Sequence, residues 1–151
     1  MSLVAVDTNI LLYAADNAGD PAKHRVALDL LDRLGATGRG ILALQALAEF
    51  YSVAVRKYRI PPDRAAVYVD AWGEVFPVHG AVLADVSDAM RVQRDHNVAF
   101  WDGMIWSVAR RAGARILLSE DLQDGRSLEG VRFANPFEPS NRSLVEEIVG
   151  A

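Results

Sequence analysis

A chain of 151 residues suits one domain and leaves little room for two. Its 51% apolar and 24% charged residues exclude a disordered or low-complexity protein. The lack of cysteine excludes a disulfide scaffold, an iron–sulfur centre, a thiolate zinc site and a cysteine nucleophile. Sixteen Lys and Arg against twenty Asp and Glu give a formal charge of −4. A nucleic-acid role would therefore need a local basic patch. Lys23 and Lys57 are the only lysines, and Arg favours bidentate phosphate contacts, although a general Arg bias explains the same count.

Leu3–Val6 is short, apolar and β-branched, the pattern of a buried parallel strand. Asp7-Thr8-Asn9 supplies helix N-cap types before Ile10–Ala14. Asp20-Pro21 opens a second helix to about Leu34, and Gly35, Gly38 and Gly40 punctuate a loop. Ile41–Leu44 reads as strand and about Gln45–Tyr58 as helix, which Pro61-Pro62 breaks. Pro62 starts a helix through Trp72, and Val75–His79 is a short strand candidate. Ala81–His96 and Trp101–Ala112 read as helices. Arg115–Leu118 is a buried strand and Val131–Ala134 a weaker one. From about residue 136 an irregular C-terminal tail is expected, with a short helix near Leu144–Val149. Alternating strands and helices imply an α/β sandwich with a mainly parallel sheet. No linker divides the chain, so residues 1–151 read as one domain. Ile41–Val55, the longest apolar run, is broken by Gln45 and Glu49 and is too short to cross a bilayer. Met1–Val6 lacks a leader pattern, so a cytoplasmic protein without membrane contact is expected.

In open α/β sheets, sites form beyond the C-terminal strand ends. Asp7 ends the first strand, and Asp121 lies just past Arg115–Leu118. Asp7 alone is equally an N-cap, and Asp121 alone equally a solvated turn acid. If both strands are central, the two emerge together. Asp102 opens a helix whose positions three, four and seven later are Ile105, Trp106 and Ala109, so it heads an apolar face. A carboxylate there is costly unless it is paired, capped or bound to metal, and a helix N-terminal cap is the less favoured alternative. Glu49 sits in the most apolar helix, although Gln45, Ser52 and Arg56 share its face and fit a solvated one. Asp124 precedes Gly125 in a turn signal. Two like charges about 4 Å apart repel by roughly 4 kcal/mol at an effective dielectric near 20. Several acids sharing one site would therefore stay partly protonated unless a hard divalent cation joined them. Oxygen-only ligands favour Mg²⁺ or Mn²⁺ over zinc. His24, His79 and His96 have no metal-ligand spacing.

Val6-Asp7-Thr8-Asn9-Ile10-Leu11, Ala48-Glu49-Phe50, Trp101-Asp102-Gly103-Met104-Ile105 and Leu117-Leu118-Ser119-Glu120-Asp121 occur in an order that resembles PIN-domain ribonucleases. The likeness is closest to the VapC toxins of bacterial toxin–antitoxin pairs and runs from Leu3 to about Phe137. Each motif alone is weak, and four in order are specific. The resemblance implies a PIN-like three-layer α/β/α sandwich with a mainly parallel central sheet. It implies a metal site of Asp7, Glu49, Asp102 and Asp121, with Asp124 as an auxiliary ligand or close support. Ser119 would orient a ligand or water, and Asn9 would brace the site. Gly103-Met104 departs from the commoner Ala-Leu after the third acid, a change expected to affect packing only.

The activity implied is Mg²⁺-dependent hydrolysis of RNA phosphodiesters, with Mn²⁺ as a substitute, leaving 3′-hydroxyl and 5′-phosphate ends. An acidic centre repels RNA, so flanking cations are required. The candidates are Arg56, Lys57 and Arg59 at one helix end, with Arg91, Arg94, Arg110 and Arg111. Cations near helix C-termini also complement the dipole. The resemblance further implies a homodimer and an antitoxin that covers the toxin's groove. Leu11, Leu12, Leu30, Leu31 and Leu34 are candidates for that groove or for ordinary core. Gly38-Arg39-Gly40 precedes a strand rather than joining strand to helix, against a dinucleotide site, and no Walker lysine or Gly-x-Ser-x-Gly is present. The competing readings are a PIN nuclease of RNA processing without an antitoxin, and a non-catalytic PIN module that binds RNA or protein.

Overall fold

The computed structural model describes residues 2–150. In chain order its elements are β1 (Leu3–Val6), α1 (Thr8–Ala15), α2 (Pro21–Thr37), β2 (Gly40–Ala43), α3 (Leu44–Arg56), α4 (Pro62–Val75) and β3 (Val78–His79). There follow α5 (Leu83–His96), α6 (Phe100–Arg111), β4 (Ala114–Leu118), β5 (Ser127–Leu128), β6 (Val131–Ala134), a 3₁₀ turn at Pro139–Asn141 and α7 (Arg142–Val149).

The sheet runs β3-β2-β1-β4-β6-β5, parallel throughout except for β5, which is antiparallel to β6. β1 lies between β2 and β4 and is covered on both faces, so Val4, Ala5 and Val6 are buried. Its unbroken apolar run follows from that position. Helices cover the sheet as the sandwich expectation requires, with α1, α2 and α7 packed together and α6 lying on β2 and β4. Asp20 accepts hydrogen bonds from Ala22 and Lys23 and starts α2. That helix runs past Gly35 to Thr37 and stops at Gly38, whose φ of +71° suits a left-handed cap. Leu30, Leu31 and Leu34 face the core from it, as Leu11 does from α1.

α5 and α6 pack closely at Gly103. A Cβ there would stand 3.2 Å from the Ala89 Cα and 3.2 Å from a Val92 methyl. The pair is also tied by Asp85, which is buried. It accepts from Ser107 at 2.8 Å, from Arg111 at 2.9 and 3.2 Å, and from the Val82 N–H at 2.8 Å. Burial pushes its carboxyl up, but these donors together hold it below the ordinary range.

Two differences from the sequence reading stand out. β5 was not anticipated. It pairs with β6 across a turn in which Glu129 and Gly130 both have positive φ, 49° and 88°. Glu is an unusual residue for that conformation, so the hairpin carries no Asn-Gly or Asp-Gly signal. The segment after residue 136 contains a 3₁₀ turn and then α7, which starts two residues before the expected Leu144 and packs on α2 through buried Ile148 and Val149. Arg39 donates to the Ile148 carbonyl at 2.8 Å, and Arg33 pairs with Glu146 at 2.7 Å. Among the described residues, no helix is long and apolar enough to cross a membrane.

Candidate active site

The chain leaves β1 towards β2 and leaves β4 towards β6, so the strand order reverses between β1 and β4. The crevice at such a switch point, beyond the C-terminal strand ends, is where α/β sheets bind ligands. The Asp7 N–H donates to the Leu118 carbonyl at 2.9 Å, and the Ser119 N–H donates to Ala134 at 3.0 Å. The ladder thus extends one residue past β1 and β4 and sets Asp7 and Ser119 side by side. α3 begins directly after β2 and carries Glu49 in its second turn. α6 carries Asp102 in its first turn. The positive end of a helix dipole favours an anion there.

Asp7 is 5% exposed. One carboxylate oxygen accepts the Thr8 N–H at 2.7 Å, the expected cap, and the other accepts the Ser119 hydroxyl at 2.7 Å. Ser119 Oγ in turn accepts from the Asp121 N–H at 3.1 Å and from Asn9 Nδ2 at 3.3 Å. Asn9 Nδ2 also donates to Asp121 at 3.1 Å, and Asn9 Oδ1 accepts the Glu120 N–H at 3.3 Å. Asn9 and Ser119 therefore hold the loop after β4 against the start of α1. Glu120 is clamped from its other side by Tyr13 and Lys23.

Glu49 is fixed by two residues that the sequence reading did not assign to the site. Thr8 Oγ1 donates to one oxygen at 3.1 Å, and Gln45 Nε2 to the other at 2.7 Å. Gln45 also donates to the Trp101 carbonyl at 3.1 Å, linking α3 to the first turn of α6. The available signals were the position of Thr8 beside Asp7 and the four-residue spacing of Gln45 and Glu49 on one helix face.

The four acids feel one another. Burial pushes Asp7 up from 3.8 to about 6 against the pull of its Ser119 and Thr8 hydrogen bonds, and the charges of Asp102 and Asp121 add to the rise. Asp102 is raised by burial and by the charges of Asp121 and Glu49. Asp7, Glu49, Asp102 and Asp121 thus share one electrostatic neighbourhood. Among the described residues, no group of three or more His, Asp or Glu side chains stands close enough together to hold a metal ion as placed; Asp102 and Asp121 line one cleft, and Asp7 is buried behind it. The donor set is all oxygen, and two of its members, Asp7 and Asp102, are raised by burial and by the charges beside them. That combination fits a hard divalent cation.

Asp124 is held differently. Its Oδ1 accepts the Asn135 N–H at 2.9 Å and the Asn141 side-chain amide at 2.8 Å, which ties the segment after β6 to the site loop. The expected basic residues divide into groups. Arg91 pairs with Glu129 at 2.7 Å and with Asp88 at 3.4 Å, Arg110 pairs with Glu129 at 3.7 Å, and Arg111 pairs with Asp85 at 2.9 Å. Arg110 and Arg111 end α6, about 12 Å along the helix from Asp102. Arg94 is exposed and pairs with Asp95 at 3.2 Å. Arg56, Lys57 and Arg59 are exposed at the end of α3 and just beyond it.

Two clefts meet at Asp121. One, of about 240 Å³, is lined by Lys57, Tyr58, Tyr13, half-buried Leu12 and Asn9. The other, of about 310 Å³, holds Asp102, Gln123, Asn97 and Arg126. Arg126 was not a candidate in the sequence. Its one local cue was its place directly after the Asp124-Gly125 turn that follows the Asp121 loop.

Solved structures that share this architecture include the following three. The sarcin-ricin-loop-cleaving toxin VapC20 of Mycobacterium tuberculosis is 24% identical with a TM-score of 0.58, over 76% of this chain and 86% of that one. A DNA-bound VapBC from Salmonella typhimurium is 18% identical with a TM-score of 0.62, over 90% and 99%. A toxin–antitoxin complex from Klebsiella pneumoniae is 19% identical with a TM-score of 0.63, over 89% and 98%. No curated protein matches the chain. The family model of the PIN domain matches residues 4–123, which span β1 to the loop beyond Asp121 and include all four acids. The chain belongs to the PIN-domain family.

Proposed function

We propose that this protein is a divalent-metal-dependent endoribonuclease and the toxin of a toxin–antitoxin pair. The observation that supports the nuclease reading is the charge coupling of Asp7 with Asp102 and Asp121, and of Asp102 with Asp121 and Glu49, beside the switch point, with Asp7 pushed up to about 6 chiefly by burial. Asp7, Glu49, Asp102 and Asp121 would hold one or two Mg²⁺ or Mn²⁺ ions, with Asp124 in an auxiliary place. Such an ion supplies charge neutralisation at the phosphate and a more acidic water. The chain's own residues do the positioning. Ser119 and the Thr8 N–H fix Asp7, Thr8 Oγ1 and Gln45 fix Glu49, and Asn9 fixes Asp121. In the proposed hydrolysis a water oxygen would bond to phosphorus as the bond to the 3′-oxygen breaks, and a proton from that water would pass through solvent to the 3′-oxygen, giving 3′-hydroxyl and 5′-phosphate ends.

The toxin assignment rests on likeness to chains that occur with antitoxins in the Salmonella and Klebsiella structures. An antitoxin that covers the acidic cleft and a homodimer belong to the same proposal. A PIN nuclease acting without an antitoxin, or a module that binds without cleaving, is the competing reading.

Incubation of the purified chain with total RNA tests the proposal. Cleavage is expected with Mg²⁺ and is stopped by EDTA. Asp7→Ala and Asp102→Ala lower it at least about 100-fold, since even outer-shell changes at metal sites cost 10–100-fold, while circular dichroism stays unchanged. Undiminished cleavage in both variants overturns the site. No cleavage together with no Mg²⁺ or Mn²⁺ binding favours the binding module.

A further inference from the structure

We propose that the cleft beside Asp102 and Asp121 is a substrate subsite. Its Arg126 guanidinium holds a phosphate of single-stranded RNA next to the bond being cut. This rests on the nuclease reading above for its substrate class and adds the residue that lets an acidic centre hold a polyanion.

Arg126 is built into the wall of the cleft. Its N–H donates to the Gln123 carbonyl at 3.2 Å, and its carbonyl accepts the Phe133 N–H at 2.8 Å. Its side chain is half-buried, and Nη2 donates to the His96 carbonyl at 2.7 Å, at the end of α5. One of the five guanidinium N–H donors is thereby used to aim the group. Among the described residues, no carboxylate lies within ion-pair distance of Arg126. Its charge is therefore not cancelled, unlike those of Arg91, Arg110 and Arg111.

Asp102 and Asp121 line the same cleft. An anion placed there meets two acids unless cations offset them, and Arg126 is the cation that this chain contributes to that wall. A planar, partly desolvated guanidinium suits phosphate oxygens. The cleft on the other side of Asp121 carries Lys57 and Tyr58. Lys57 Nζ lies 5.8 Å from the centre of the Tyr58 ring. Asp121 is thus flanked by one cation in each cleft. A strand laid across both passes over the acids between them, with Tyr58 offering a ring on which a base stacks.

The test uses the full chain and a short labelled single-stranded RNA of mixed sequence. Steady-state cleavage is measured with Mg²⁺, and binding is measured by fluorescence anisotropy on an Asp102→Asn background at several salt concentrations. Arg126→Ala is expected to raise KM and Kd about 10–100-fold, with kcat reduced less than threefold, as loss of a charge-assisted contact that acts in binding. The slope of log Kd against log salt should fall by about one phosphate contact. Arg126→Lys should restore that slope and only part of the affinity. A structural role for Arg126 would lower stability without moving the salt slope.

If the parent enzyme cleaves RNA and Arg126→Ala matches it in KM, Kd and salt slope, the subsite is refuted and the nuclease reading stands. If the parent binds RNA through Arg126 but cleaves none with Mg²⁺ or Mn²⁺, the subsite stands and the nuclease reading fails. Arg126→Ala that loses affinity for a Glu-rich peptide while keeping its RNA affinity also overturns the subsite.

Discussion

Asp7→Asn separates what the buried carboxylate does for function from what it costs the fold. In the native protein, burial first and then Asp102 and Asp121 raise its pKa from 3.8 to about 6. Each unit corresponds to 1.36 kcal/mol, so the folded anion carries a penalty of about 3 kcal/mol at neutral pH. Asn removes the charge and keeps an oxygen for the Thr8 N–H. It fails Ser119, whose Oγ already accepts from Asp121 and Asn9 and whose proton now goes to Asp7. That loss costs about 1–2 kcal/mol. The net expectation is a variant more stable by about 1–2 kcal/mol at pH 8 in EDTA, or a Tm raised by roughly 3–6 °C for a chain of this size. The sign reverses with acid. A raised folded pKa means that the native state binds the proton more tightly, so this group's stabilising contribution is complete below about pH 4 and is lost as pH rises through about 6. Below pH 4 both proteins are neutral at residue 7, only the Ser119 defect remains, and the variant is the less stable by about 1–2 kcal/mol. Urea unfolding at pH 3.5, 5 and 8 measures the difference directly. A variant that is less stable than the parent at pH 8, or a difference that does not change with pH, refutes the reasoning.

Further outcomes follow from the same geometry. Gly103→Leu drives a side chain into Ala89 and Val92 and should destabilise the protein by about 1–3 kcal/mol, read by thermal unfolding. Arg111→Ala leaves buried Asp85 without its ionic partner. It should lower the thermal midpoint near neutral pH while leaving RNA affinity unchanged, because Arg111 is committed to the α5–α6 joint. Thr8→Val removes one of two donors to Glu49 and should lower Mg²⁺ affinity by about 10-fold, measured by calorimetry, without lowering thermal stability in EDTA by more than about 1 kcal/mol.

Much of this was legible in the chain itself. The apolar Leu3–Val6 and Arg115–Leu118 segments gave two central strands, and the acids just beyond them met because parallel neighbours share one C-terminal edge. Asp7, Asp20 and Pro21 marked helix starts through local capping chemistry. What stayed hidden depended on tertiary partners. Arg91, Arg110 and Arg111 look like any basic helix residues until Glu129 and Asp85 come beside them. Gln45 looked like part of a solvated face because its second partner, the Trp101 carbonyl, is 56 positions away. β5 was hidden by Glu129, a residue type that seldom accepts positive φ. Arg126 acquires its meaning only when the turn at Gly125 returns the chain past Asp121.

The most direct measurement of the central claim is Mn²⁺ binding, followed by electron paramagnetic resonance, to the parent chain and to Asp7→Ala, Glu49→Gln, Asp102→Ala and Asp121→Ala. The account predicts saturable binding in the parent and a loss of affinity of about 10-fold or more in every variant, because the four side chains serve one shared ion site. Binding that survives unchanged in any two of the four contradicts it.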